Sequence, residues 1–235
     1  MSSFLPLYQL LLRQQLTRGR LVLALFFSGT IVTLTIIIGR SNPDSIVADS
    51  LALFGLGFSI PILSLLLGSS VFGQLVEDET LVYLWLRPIN RWVLAAAGWS
   101  AAATIAVPTA AVALGLGALL AESGTGKIAV AGALSGALAA VGYTGVFTLL
   151  GLVVRRALIW GLVYLLIWEL FVARAGAGAA RLSIQTYPTS VLSRMTDVAI
   201  PLAERSMAAG LIVPVAVAVV ATGLTAWRLN NAKVA

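Results

Sequence analysis

Residues 73–92 read GQLVEDETLVYLWLRPINRW. Glu77, Asp78 and Glu79 follow a long uncharged stretch, and Arg87, Pro88 and Arg91 lead into another. The surroundings make this patch unusual. The 235-residue chain is 60% hydrophobic and 10% charged, with a mean hydropathy of +1.00. Soluble domains carry roughly 25% charged residues. Several windows exceed the ~18 apolar residues that mark a membrane span. The sequence therefore predicts an all-α integral membrane protein, in which residues 73–91 form one of the few segments facing water.

Working outward from that patch, six apolar stretches appear: Leu21–Ile38, Leu51–Phe72, Trp92–Ala121, Ile128–Val154, Ala157–Ala173 and Ala209–Trp227. The third and fourth exceed ~20 residues, so they must tilt, kink or project beyond the lipid. Pro61, Pro108 and Pro214 lie inside spans, where each frees a backbone carbonyl and permits a bend. No internal repeat is visible, which removes a common pointer to secondary transporters.

Basic residues set the orientation. With the N-terminus inside, nine fall in inner segments: Arg13, Arg18, Arg20, Arg87, Arg91, Arg155, Arg156, Arg228 and Lys233. Six fall outside: Arg40, Lys127, Arg174, Arg181, Arg194 and Arg205. The bias predicts cytoplasmic termini, and most of the +6 net charge marks span ends rather than a nucleic-acid surface. The 13 arginines against 2 lysines, with abundant alanine, hint at a GC-rich prokaryotic genome and hence a cytoplasmic (inner) membrane.

Two further segments complete the expected single transmembrane domain, residues 1–235. In residues 1–20, Phe4, Leu7, Tyr8, Leu11 and Leu12 form an apolar face opposite Gln9, Arg13 and Thr17. That is the pattern of a helix lying in the membrane interface. Residues 174–208 read as an outer cap of one or two short amphipathic helices broken by Pro201. A cleavable signal is not expected, because about twenty residues precede the first apolar stretch and no small-residue cleavage site follows it.

The chemistry is sparse. The chain has no cysteine and no histidine. Thiolate and histidine metal sites, disulfides and histidine acid–base catalysis are thereby excluded. Gly124-Thr125-Gly126-Lys127 imitates a phosphate loop, but Ala121 occupies the first-glycine position and Ile128 the hydroxyl position. Glu169 is the one acid inside an apolar stretch and so a functional candidate. Its place beside Trp168, about one turn from the outer end, reads instead as a solvated interface glutamate or a partner of Arg174. No substrate-binding residue is identifiable.

In the patch itself, the acids stand at the start of a short helix carrying Leu81, Val82, Tyr83, Leu84, Trp85 and Leu86, where the helix dipole favours negative charge. Pro88 ends it. A plain inner loop would carry mainly basic residues. The stretch resembles the signature of type-2, exporter-like permeases of the ATP-binding-cassette (ABC) superfamily. In that signature an acid precedes Gly-Thr-Leu, and apolar residues and a Pro–x–x–Arg segment follow. Thr80, Leu81, Leu84, Arg87, Pro88 and Arg91 fall at matching spacings, and Glu79 departs by replacing the glycine. The interfacial helix, six spans, inner termini and outer cap extend the likeness along the chain.

The resemblance implies a non-enzymatic subunit forming half of a pathway, paired with a second permease copy and two ABC ATPase subunits, within membrane lipid and without nucleic acid. Residues 73–91 would be the cytoplasmic coupling segment, with Glu77, Asp78, Glu79, Thr80, Leu81, Leu84, Arg87, Pro88 and Arg91 docking the ATPase. This chain would hold no cofactor, and ATP–Mg would be bound by the partner. Export of a hydrophobic or amphipathic substrate is the expected activity. Alternatives are a multi-pass membrane enzyme acting on lipid, which would need clustered acids or a nucleophile–base pair, and an ion-coupled secondary carrier, which would need more buried acids.

Overall fold

Pro61 shapes the helix that leads into the acidic patch. Its ring has no N–H to donate and crowds the carbonyl four residues earlier. The chain responds by widening: Leu51–Ser59 is π-helical, and the Ile60 N–H bonds the Gly55 carbonyl. From Ile60 to Glu77 the helix is α-helical. The computed structural model describes residues 4–39, 44–77, 90–121, 126–169, 171, 177–201, 203 and 205–231. Among these every regular element is helical.

Five helices are long and apolar enough to cross a membrane. They are α2 (Arg18–Gly39), α3 (Ser45–Glu77), α4 (Arg91–Ala121), α5 (Lys127–Val153) and α9 (Met207–Asn231). Their bounds enclose or nearly coincide with five of the six expected apolar stretches. The other expected stretch corresponds to a shorter apolar helix, α6 (Ala157–Glu169), beyond which residues 170 and 172–176 lie outside the described part. At 1.5 Å per residue, the 31 residues of α4 extend about 46 Å, well beyond a hydrocarbon core of ~30 Å.

Three shorter elements join them: α1 (Phe4–Gln15), α7 (Ala177–Ala180) and α8 (Thr186–Thr196). Helix α8 occupies part of the expected cap, but it stops at Asp197 rather than at Pro201. Asp197 has φ 58°, the left-handed conformation that ends a helix and that Asp tolerates better than most residues. The cap is packed rather than loose, since Ser190, Val191 and Leu192 are fully buried.

Helix α5 is central, packing on α3, α4, α8 and α9. Its approach to its neighbours depends on residues without bulk. A Cβ on Gly145 would stand 2.7 Å from the Ala218 Cα of α9, and one on Gly136 would stand 2.9 Å from the Ala110 carbonyl oxygen of α4. In lipid, where the hydrophobic effect does not drive helices together, such close contact is a main source of attraction. Outward-facing side chains are apolar, as Leu25, Phe26 and Val219 illustrate.

Helix α1 packs on α4 and α3. Its Tyr8 hydroxyl is 2.9 Å from the Thr104 hydroxyl of α4. The elbow at Leu16 and Thr17 then turns the chain into α2.

Candidate functional site

The acidic patch begins where α3 ends. Glu77 is its last residue and is exposed. The chain is described again from Asn90, whose side-chain oxygen accepts a hydrogen bond from the Trp92 N–H at 3.0 Å. This caps one of the free donors at the start of α4. Arg91, the first residue of α4, is half-buried. Glu77 and Arg91 therefore flank the same end of the bundle, the proximal end. Asp78, Glu79, Thr80, Leu81, Leu84, Arg87 and Pro88 lie outside the described residues.

The proximal end also carries a polar network that the sequence reading missed. Gln15, 1% exposed, closes α1 against α3 by donating from Nε2 to the Leu67 carbonyl at 3.2 Å. Its Oε1 accepts from Arg20 Nη1 at 3.0 Å and from Ser70 Oγ at 3.2 Å. Arg20 Nη1 also donates to the Gln14 carbonyl at 2.7 Å, and Gln14 Nε2 donates to Gln74 Oε1 at 3.0 Å. A buried amide must fill its hydrogen bonds, and Gln15 does so by joining three helices. The available signal was Gln14 and Gln15 standing between apolar and basic residues.

At the opposite, cap end, the structure corrects the expectation for Glu169. It is fully buried rather than solvated, and Arg174 lies outside the described residues. Its carboxylate accepts hydrogen bonds from the Tyr164 hydroxyl at 3.1 Å, from the Ser183 hydroxyl, and from the Ile184 N–H at 3.1 Å. A buried carboxylate is tolerable only when its oxygens are bonded in this way.

Helix geometry brings Tyr164 to Glu169. Residues five apart on an α-helix point about 140° away from each other. Tyr164–Glu169 is π-helical, and the wider turn returns the fifth residue towards the same side. Fully buried Tyr143 of α5 comes close enough to interact with this carboxylate. Its hydroxyl, however, is outside hydrogen-bonding geometry with any partner among the described residues.

Two cavities accompany these clusters. One, of about 380 Å³ at the cap end, is lined by Asp49, Ala52 and Leu53 of α3 and by Gln185, Thr186 and Thr189 at the start of the cap helix α8. Gln185 lies over Gly57 in the π-helical turn, where a Cβ would stand 2.7 Å from its Nε2. The other, about 340 Å³ at the proximal end, opens between α2, α3 and α6 and has both Arg20 and Glu77 in its lining.

The geometry thus gives one end with a charged, capped connection and another with a buried carboxylate under a packed cap. No protein-family model matches the chain, and no curated protein matches it.

Proposed function

We propose that the chain is the membrane permease subunit of an exporter-like ABC transporter, half of a translocation pathway driven by separate ATPase subunits. The observation that carries this reading is the stretch 73–91, with its acids, Thr80-Leu81 and the Pro88–x–x–Arg91 spacing. The order of helices supports it: a short helix precedes α2, the stretch joins α3 to α4, and a helical cap separates α6 from α9. In this reading α6 counts as the fifth of six spans, α1 lies in the interface, and both termini face the cytoplasm of a prokaryotic cell.

Two ATPase subunits would bind ATP–Mg, and a second permease copy would complete the pathway. The apolar, sparsely charged spans suit a hydrophobic or amphipathic substrate. The test is coexpression with an ABC ATPase encoded beside it, followed by copurification and measurement of ATP hydrolysis. Copurification with hydrolysis that responds to the permease supports the proposal. Transport that persists without any ATPase overturns it.

A second reading, the ion-coupled carrier, draws on one specific observation. Glu169 is a fully buried acid whose described partners are all uncharged. Acids buried within apolar helices commonly mark ion pathways. Transport that follows an imposed proton gradient in ATPase-free vesicles would favour that reading.

A further inference from the structure

The proximal cleft places opposite charges on one surface without pairing them to each other. Arg20 at the start of α2 and Glu77 at the end of α3 both line it, yet they form no ion pair. The Arg20 guanidinium is held in place, because Nη1 bonds the Gln14 carbonyl and Gln15 Oε1. Among the described residues, Nη2 and Nε have no protein partner. A guanidinium fixed on one side and free on the other suits a phosphate, whose oxygens match its fork.

Ser69 adds an independent observation. It lines the same cleft and is 2% exposed, and its hydroxyl has no hydrogen-bond partner among the described residues. A buried hydroxyl without a partner is unfavourable until something supplies one. Its neighbour Ser70, by contrast, is fully engaged with Gln15 and the Leu67 carbonyl.

The walls describe the rest of the ligand. Leu23 and Leu158 line the cleft while remaining 39% and 49% exposed on the bundle surface. The cleft therefore continues into an apolar face that would meet acyl chains. A phosphate at Arg20 and Ser69 would leave Glu77 facing a cation on the same headgroup. Among the described residues no aromatic lines the cleft, whereas quaternary ammonium groups are recognised by aromatic cages. A carboxylate suits a primary ammonium, which donates hydrogen bonds.

We propose that this cleft binds a phospholipid with a zwitterionic headgroup ending in a primary ammonium, the phosphate on Arg20 and Ser69 and the ammonium on Glu77. The site does not depend on the transport reading, since it requires neither an ATPase nor a pathway.

The test is native mass spectrometry of the full chain in detergent with phosphatidylethanolamine, phosphatidylcholine or phosphatidylglycerol of matched acyl chains, or with inorganic phosphate. The parent should retain phosphatidylethanolamine about tenfold better than phosphatidylcholine, the worth of roughly one charge-assisted contact. Glu77→Gln should remove that preference while phosphate-dependent retention of all three lipids persists. Arg20→Gln should weaken all three. Because Arg20 also fastens the elbow, Gly19→Leu provides a second variant. Gly19 lines the cleft and a Cβ there meets nothing within 4 Å, so leucine should reduce retention without loss of helicity. Equal retention of the ethanolamine and choline lipids by the parent would overturn the proposal. So would an unchanged preference in Glu77→Gln, or displacement of the lipid by inorganic phosphate alone.

Discussion

The Ser183 hydroxyl donates to the Glu169 carboxylate across 14 residues of chain, fastening the segment before α8 to the end of α6. The adjacent Ile184 N–H donates to the same carboxylate, so one side chain fixes both residues. Replacing Glu169 by alanine leaves those donors and the Tyr164 hydroxyl without their acceptor. Each unpaired group costs about 1–3 kcal/mol. We expect Glu169→Ala to lower the thermal unfolding midpoint clearly and Glu169→Gln to lower it less. A midpoint equal to the parent's in Glu169→Ala would show that the buried carboxylate fastens nothing.

The acidic patch should matter for docking and not for folding. Glu77 is exposed at the end of α3, so alanine there removes no buried packing. Glu77 closes α3 at its C-terminal end, where the helix dipole does not favour a negative charge, so its removal takes no dipole stabilisation from that helix. Charge-assisted contacts to a partner contribute about 1.5–3 kcal/mol each. If the stretch docks an ATPase as proposed, the triple variant Glu77→Ala, Asp78→Ala, Glu79→Ala should insert normally, yet fail to copurify with that ATPase or to transport. Full transport by that variant would end the docking role.

Glycines on α5 and α2 should respond oppositely to a methyl group. Gly145→Ala places its Cβ 2.7 Å from Ala218, so α5 and α9 must move apart. Overpacking of this kind costs about 1–3 kcal/mol. Gly19→Ala meets nothing within 4 Å and gains helix propensity of up to about 1 kcal/mol. Thermal unfolding of both variants in detergent checks the contrast, and equal midpoints would contradict the packing described for α5.

Lys127 and Asp197 form an ion pair at 2.6 Å between the start of α5 and the end of α8, with side chains 54% and 79% exposed. Exposed pairs are screened and contribute at most about 1 kcal/mol. Lys127→Ala should therefore change stability only slightly, and less as salt rises. Asp197 itself holds a left-handed backbone, so Asp197→Val should be more damaging than Asp197→Gly. A reversed order in urea unfolding would contradict that conformation.

The long helices were legible because hydropathy is a one-dimensional signal. The expected stretch Trp92–Ala121 differs from α4 by one residue, and Ile128–Val154 is α5 displaced by one. The π-helical turns were not legible. Pro61 announced a bend, but whether a helix bends or widens depends on what packs beside it, here Leu114 against Gly55 and Gln185 against Gly57. Glu169 misled for a similar reason. Its neighbours in sequence place it near an interface, while its burial depends on Ser183 and Ile184 returning to it. The stripe Thr186, Thr189 and Ser190, at helical spacing, was the available sign that a polar face turns inward there. All three are buried, each bonding a backbone carbonyl.

The bare surface of α5 also affects the entropy of assembly. Among its buried residues are Ala129, Ala131, Gly132, Gly136, Ala139 and Ala140, none of which has side-chain rotamers to lose on packing. Long side chains surrender up to about 1.5–2 kcal/mol each in the same process. The central helix therefore joins its neighbours with little side-chain ordering at these positions. Its register is held instead by the larger side chains it also buries, Leu138, Tyr143 and Phe147, so the ordering cost is concentrated in a few residues.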